Sequence, residues 1–173
     1  MKKLLLLFLI VGCSTPTPTP TIIGYENDGG TLLDITSGDL RSTEVVKAFF
    51  DAYNAKDLQA VYRLEHEDVV LYAPNGMMIE GSEQHLELGQ QFLDANPIAT
   101  WEIIWSMSAD VAYDDKPNEN WVTSGLLVTT GKDEASKSTV SRVVDLMIVD
   151  GKVKKGYVYN RELSDAEKQT DTN

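Results

Sequence analysis

Apolar side chains recur three and four positions apart over the first half of the chain and every second position over the rest. Val46, Phe49, Phe50 and Tyr53 fall on one face of a helix within STEVVKAFFDAYNAKD, with Thr43 placed to cap it. Asn54 to Lys56 break the pattern. Asp57 then caps a second helix, DLQAVYRLEHE, with Leu58, Val61, Tyr62 and Leu64 as its apolar positions. DVVLYA reads as a short strand, PNG as a turn and MMIEG as the return. Ser82 opens a third helix, SEQHLELGQQFLDAN, which stops before Pro97. ATWEIIWSMSADVAYD, WVTSGLLVTTG, KSTVSRVVDLMIVD and KVKKGYVYNRE are four long strands, the last two joined by the tight turn at Asp150-Gly151. This order predicts an α+β domain over residues 42–163, with three N-terminal helices packed on a curved antiparallel sheet. The mouth of such a cone is a natural small-molecule cavity.

The flanks have other patterns. Lys2 and Lys3 precede an apolar run from Leu4 to Val11, far short of the roughly 20 residues of a spanning helix. Residues 1–12 therefore read as a secretory signal peptide. Ile10-Val11-Gly12-Cys13 resembles a bacterial lipobox, in which the cysteine becomes the lipidated first residue. Cys13 is the only cysteine, so no intrachain disulfide can form. Residues 13–41 are expected to be the lipidated cysteine, a Thr/Pro tether of extended polyproline character and a loose lead-in. Residues 164–173 form a polar tail. The expected address is the bacterial cell envelope, anchored to the membrane through Cys13. The outer membrane is favoured, because Ser14 rather than Asp follows the cysteine.

A formal net charge of −12 argues against nucleic acid, whose phosphates demand Lys and Arg. No phosphate loop, dinucleotide fingerprint or nucleophile elbow is present. Only two histidines exist, His66 and His85, on separate elements and with no cysteine near, so no metal site is expected. His85 reads as a surface or cavity-rim residue.

The YNAKDL turn, the DVVLYAPNG strand and the DGKV hairpin, in that order over residues 43–161, resemble the NTF2-like superfamily in its SnoaL-like branch. The resemblance implies a cone-shaped α+β fold, often dimerised through the sheet. It does not by itself imply one activity. A ketosteroid isomerase of this fold needs a carboxylate base where this chain has Ala73 and a tyrosine donor where it has Phe49; the resemblance leaves only the second donor, at Asp145. The epoxide hydrolase pattern needs Arg two residues before Asp145, where Val143 stands.

On that alignment Asp145 faces the cavity as a polar anchor. The alternatives are a solvated carboxylate on the outer face and a buried structural one. Trp101 and Trp105 fall on one strand face and either fill core or stack on a flat ligand. Which parity of the last strand points inward is left open: the isomerase alignment turns Val158 and Asn160 in, whereas burial favours Tyr157 and Tyr159. The expected ligand-binding residues are Asp145, Trp105, Phe49, Tyr53, Met147 and Asn160, for a small, largely apolar molecule and with no cofactor. The alternatives are a cavity enzyme using Asp145 as acid or base, and an interaction module that dimerises through the sheet.

Overall fold

A computed structural model describes residues 20–170. The signal peptide, Cys13 and most of the Thr/Pro tether lie outside the described residues.

Eight strands form one sheet in the order β1-β2-β5-β6-β7-β8-β3-β4. β1 (Ile22–Asp28) and β2 (Thr31–Ser37) are an antiparallel hairpin where a loose lead-in was expected. Its turn is made by Gly29 and Gly30, both at positive φ, which side chains resist. β2 joins the main sheet by pairing Ile35 to Ser37 with Val111 to Ala109. The helices are therefore not N-terminal to everything. α1 (Arg41–Asn54) and α2 (Leu58–Arg63) follow the hairpin. β3 (Glu65–Tyr72) and β4 (Met78–Glu80) separate them from α3 (Ser82–Ala95). β5 (Thr100–Val111), β6 (Glu119–Thr130), β7 (Ser138–Val149) and β8 (Lys152–Glu162) are the long antiparallel strands. A fourth short helix, α4 (Asp165–Thr170), occupies much of the expected polar tail.

α1 buries Val46, Phe49, Phe50 and Tyr53, the face its periodicity marks out. Thr43 lies inside its first turn and donates to the Leu40 carbonyl at 2.6 Å instead of capping. Asp57 does cap α2, accepting from the Ala60 amide at 2.9 Å. α2 ends at Arg63, so Glu65 and His66 belong to β3 and not to the helix. That boundary turns the Glu65 side chain into the interior, where it is 2 % exposed.

Two devices set which side chains face the helices. Asn54, at the end of α1, makes a reciprocal pair of 2.8 Å bonds with the backbone of Trp101 and fixes the start of β5. Further along β5, Ile104 is an extra residue: Ile103 pairs with Leu126, and Trp105 with Gly125. This bulge reverses the alternation. Trp101 is buried on the inner face, whereas Trp105 lies on the outer face with its indole over Gly125, where a Cβ would stand. The two tryptophans do not share a face. On the inner face Val122, Leu126, Val128, Val144 and Leu146 pack against α1 and its neighbours as one core.

Candidate functional site

A cavity of about 440 Å³ opens between α1, α3 and the inner face of the sheet. Phe49, Phe50, Leu88, Phe92, Trp101 and Val144 give it an apolar wall. The volume is in the range that suits a small organic ligand. Its polar side chains come from four directions: Tyr53 from α1, Asn75 from the turn between β3 and β4, His85 from α3, and Arg142 with Asn160 from β7 and β8.

Two of these groups are joined. The Tyr53 hydroxyl lies 2.9 Å from His85 Nε2. On the other side of the ring, His85 Nδ1 lies 2.6 Å from Glu65 Oε1. The Glu65 side chain is 1 % exposed and that of His85 13 %. The second Glu65 oxygen, Oε2, is buried without a hydrogen-bond partner. All of the carboxylate's directed bonding therefore goes to the imidazole. Gly89, one turn along α3 from His85, packs on Leu58: a Cβ there would stand 3.3 Å from Leu58 Cδ2 and in ordinary contact, at 3.6 Å, with the Tyr53 hydroxyl oxygen. Burial, with the Glu65 charge nearby, pushes the Tyr53 phenol far above its ordinary value, so it stays protonated.

Arg142 Nε donates to Asn160 Oδ1 at 2.8 Å. Burial pulls its guanidinium down from the ordinary value, while Tyr53 acts in the opposite sense. It remains charged, as arginine does in proteins.

The residues named from the sequence divide between two faces. Phe49, Tyr53 and Asn160 line the cavity, as do Val158 and Ala73. Asp145, Trp105 and Met147 do not. Val144 and Leu146 are buried toward the cavity, so Asp145 between them points outward, because successive strand residues face opposite sides. Arg142 and Asp145 are on opposite faces, and Arg142 is the inward one. Asp145 accepts a 2.9 Å bond from the Thr123 hydroxyl on β6 and pairs across β8 with Tyr157. Around it the outer face is aromatic. Tyr72 stacks on Tyr157 at 4.9 Å, Trp121 on Tyr157 at 6.0 Å, and Tyr159 and Trp105 stand exposed. Burial raises the Asp145 carboxyl, and the Thr123 bond lowers it by less.

Sequence reasoning missed the Glu65–His85 pair and the role of Arg142. The sequence pattern carries Glu65 within the second helix, and it places His85 on the surface or the cavity rim without pointing to Glu65 or Tyr53. Among the described residues no group of three or more His, Cys, Asp or Glu side chains could hold a metal ion, and no helix is long and apolar enough to cross a membrane.

The fold is similar to several solved structures. A candidate ketosteroid isomerase from Kribbella flavida DSM 17836 superposes with a TM-score of 0.59 at 18% identity, covering 75% of this chain and 84% of that one. An NTF2-like protein of unknown function from Cytophaga hutchinsonii ATCC 33406 gives 0.53 at 14%, covering 72% and 93%. A candidate polyketide cyclase from Xanthomonas campestris pv. campestris gives 0.52 at 16%, covering 70% and 90%. No curated protein is significantly similar in sequence. Identities this low carry the NTF2-like fold and no activity. The model of the SnoaL-like domain, however, matches residues 46–155, more than half of the chain and every residue that lines the cavity except Val158 and Asn160. The chain belongs to the SnoaL-like domain family.

Proposed function

We propose that the cavity receives a small, largely apolar molecule and that Tyr53, His85 and Glu65 exchange a proton with one of its oxygen atoms, as an isomerase, dehydratase or hydrolase requires. One observation carries this reading: His85 joins a buried carboxylate to a cavity hydroxyl through its two ring nitrogens, at 2.6 and 2.9 Å. With the ring neutral, Nδ1–H donates to Glu65 and Nε2 accepts the Tyr53 proton. The phenol oxygen then offers lone pairs to the ligand. With the ring protonated, Nε2–H donates to the phenol oxygen and the phenol hydrogen turns to the ligand. Passage between the two states moves one proton between His85 and the ligand through Tyr53. Glu65 holds the ring in orientation and balances the imidazolium charge. The apolar wall excludes water and strengthens each of these bonds. The reading includes an address: a lipid on Cys13, with the domain held at the envelope membrane by the Thr/Pro tether.

The test needs no knowledge of the natural substrate. The α-hydrogens of 2-tetralone, a flat ketone of suitable size, exchange with D₂O faster when the carbonyl oxygen is protonated or hydrogen-bonded. The expected result is exchange accelerated about 10²-fold or more over buffer, the usual scale of a positioned acid. Tyr53→Phe and His85→Gln both abolish it. Ketone that binds, by calorimetry, without faster exchange would sink the catalytic reading and leave a binding protein.

A further inference from the structure

The arginines of this acidic chain are not all held in the same way. Arg41, Arg63 and Arg161 stand on the surface, each within ion-pair distance of a carboxylate: Asp39, Asp57 and Glu167. Arg142, the fourth, has no carboxylate within that distance among the described residues, and it is the one set into the wall of the cavity. A cation taken from water into an apolar site without a counter-charge is costly. Among the described residues its one hydrogen-bond partner is Asn160, which accepts from Nε at 2.8 Å. Asn160 is neutral and does not balance the charge. It does fix the plane of the guanidinium, and it leaves both terminal nitrogens without a protein partner among the described residues.

We propose that the ligand of this cavity carries a carboxylate, which seats on the two terminal nitrogens of Arg142 while its apolar body lies against Phe49, Phe92 and Trp101. This deepens the reading given above and rests on it. A guanidinium whose Nε is already engaged presents its terminal edge as a two-pronged donor, the geometry that takes a carboxylate in two parallel bonds. The other acidic charge at the site, Glu65, is committed through Oε1 to His85 and is nearly sealed from solvent. It does not compete for Arg142. Because Arg142 and Tyr53 both line the cavity, a ligand anchored by its acid group at one presents a second oxygen to the other.

The test compares two molecules of the same shape, 2-naphthoate and 2-naphthamide, by calorimetry on the domain-containing chain. A charge-assisted pair on this partly buried guanidinium predicts that the acid binds at least roughly tenfold tighter than the amide. Arg142→Gln should remove that preference, and Arg142→Lys should keep part of it by retaining charge without the fork. Melting curves by circular dichroism establish that the variants fold; the wild-type comparison of acid with amide stands without them. Equal binding of acid and amide, or a preference that survives Arg142→Gln, overturns the carboxylate inference and leaves the cavity reading intact. Binding of neither molecule overturns both.

Discussion

Asp145 is half-buried among aromatic rings, with one hydroxyl as its hydrogen-bond partner. Burial raises its carboxyl above the ordinary value of 3.8, and the Thr123 bond only partly offsets this. The folded chain therefore holds this proton more tightly than the unfolded chain does. Stability from this group is greatest at low pH and is lost as pH rises through the raised folded value. At neutral pH the ionised Asp145 works against folding. Asp145→Asn keeps an oxygen to accept the Thr123 bond and removes the charge. Its expected effect is a higher thermal midpoint at pH 7, on the order of 2 °C, shrinking toward zero near pH 3. A midpoint that falls at pH 7 would mean the carboxylate is stabilised by something other than Thr123. The residue was conspicuous in the sequence because it interrupts an apolar strand, but its direction was not legible. Strand β7 is apolar on both faces: Val144, Leu146 and Ile148 face the core, and Val143 and Met147 face outward beside the rings of the outer face. Period-two reasoning needs one polar face to fix the register, and here neither is polar. The partners of His85 were not legible for a different reason. Its partners are 20 and 32 residues away, and no local pattern brings Glu65 and Tyr53 to opposite sides of one imidazole.

Among the elements, β8 lies between the antiparallel β7 on one side and the parallel β3 on the other. Gly156 makes this possible. A Cβ built there would stand 2.5 Å from Leu146 Cδ2 and 2.9 Å from Leu71 Cδ2. Both leucines line the cavity. Gly156→Ala is therefore an overpacking change, and the expected cost is about 1–3 kcal/mol in urea unfolding with an unchanged denaturant slope. It should also weaken naphthoate binding, because the leucines can only retreat into the cavity. A stability unchanged by Gly156→Ala would mean that the strand slides to admit the methyl group. α1 and α3 were legible because each runs for several turns with an apolar repeat, the long strands because their apolar runs are bounded by turn residues, and the six-residue α2 because Asp57 marks its start. The first hairpin was not credited, although Asp28-Gly29-Gly30 is a turn signal, because its strands have little to bury: Tyr25 and Leu32 are 67 % and 63 % exposed. The β5 bulge had no signal at all, since Ile104 is an ordinary strand residue whose displacement follows from pairing with β6.

At the scale of the whole molecule, the proposed lipid anchor on Cys13 would set where the cavity works. Residues 14–21 alternate Thr and Pro over most of their length, and an extended polyproline segment rises about 3.1 Å per residue. A lipid on Cys13 would hold the start of β1, at Ile22, within roughly 25–30 Å of the bilayer surface. The domain would then face molecules that partition into or leave the membrane, which are apolar bodies with one polar end. That is the same chemistry the cavity offers, with an aromatic wall and a single guanidinium. The two readings are independent in origin, one from a motif at residues 10–13 and the other from the fold. The lipid anchor is tested without reference to the ligand. In a bacterial host that processes lipoproteins, the wild-type chain is expected in the membrane fraction, with a mass increased by the acyl groups. Cys13→Ala is expected to be soluble and unmodified, with an unchanged melting curve, since the described domain begins beyond the tether. A Cys13→Ala chain that stays with the membrane would remove the lipid anchor. Attention would then turn to the exposed rings of the outer sheet face, Trp105 and Tyr159, as the surface that meets the envelope.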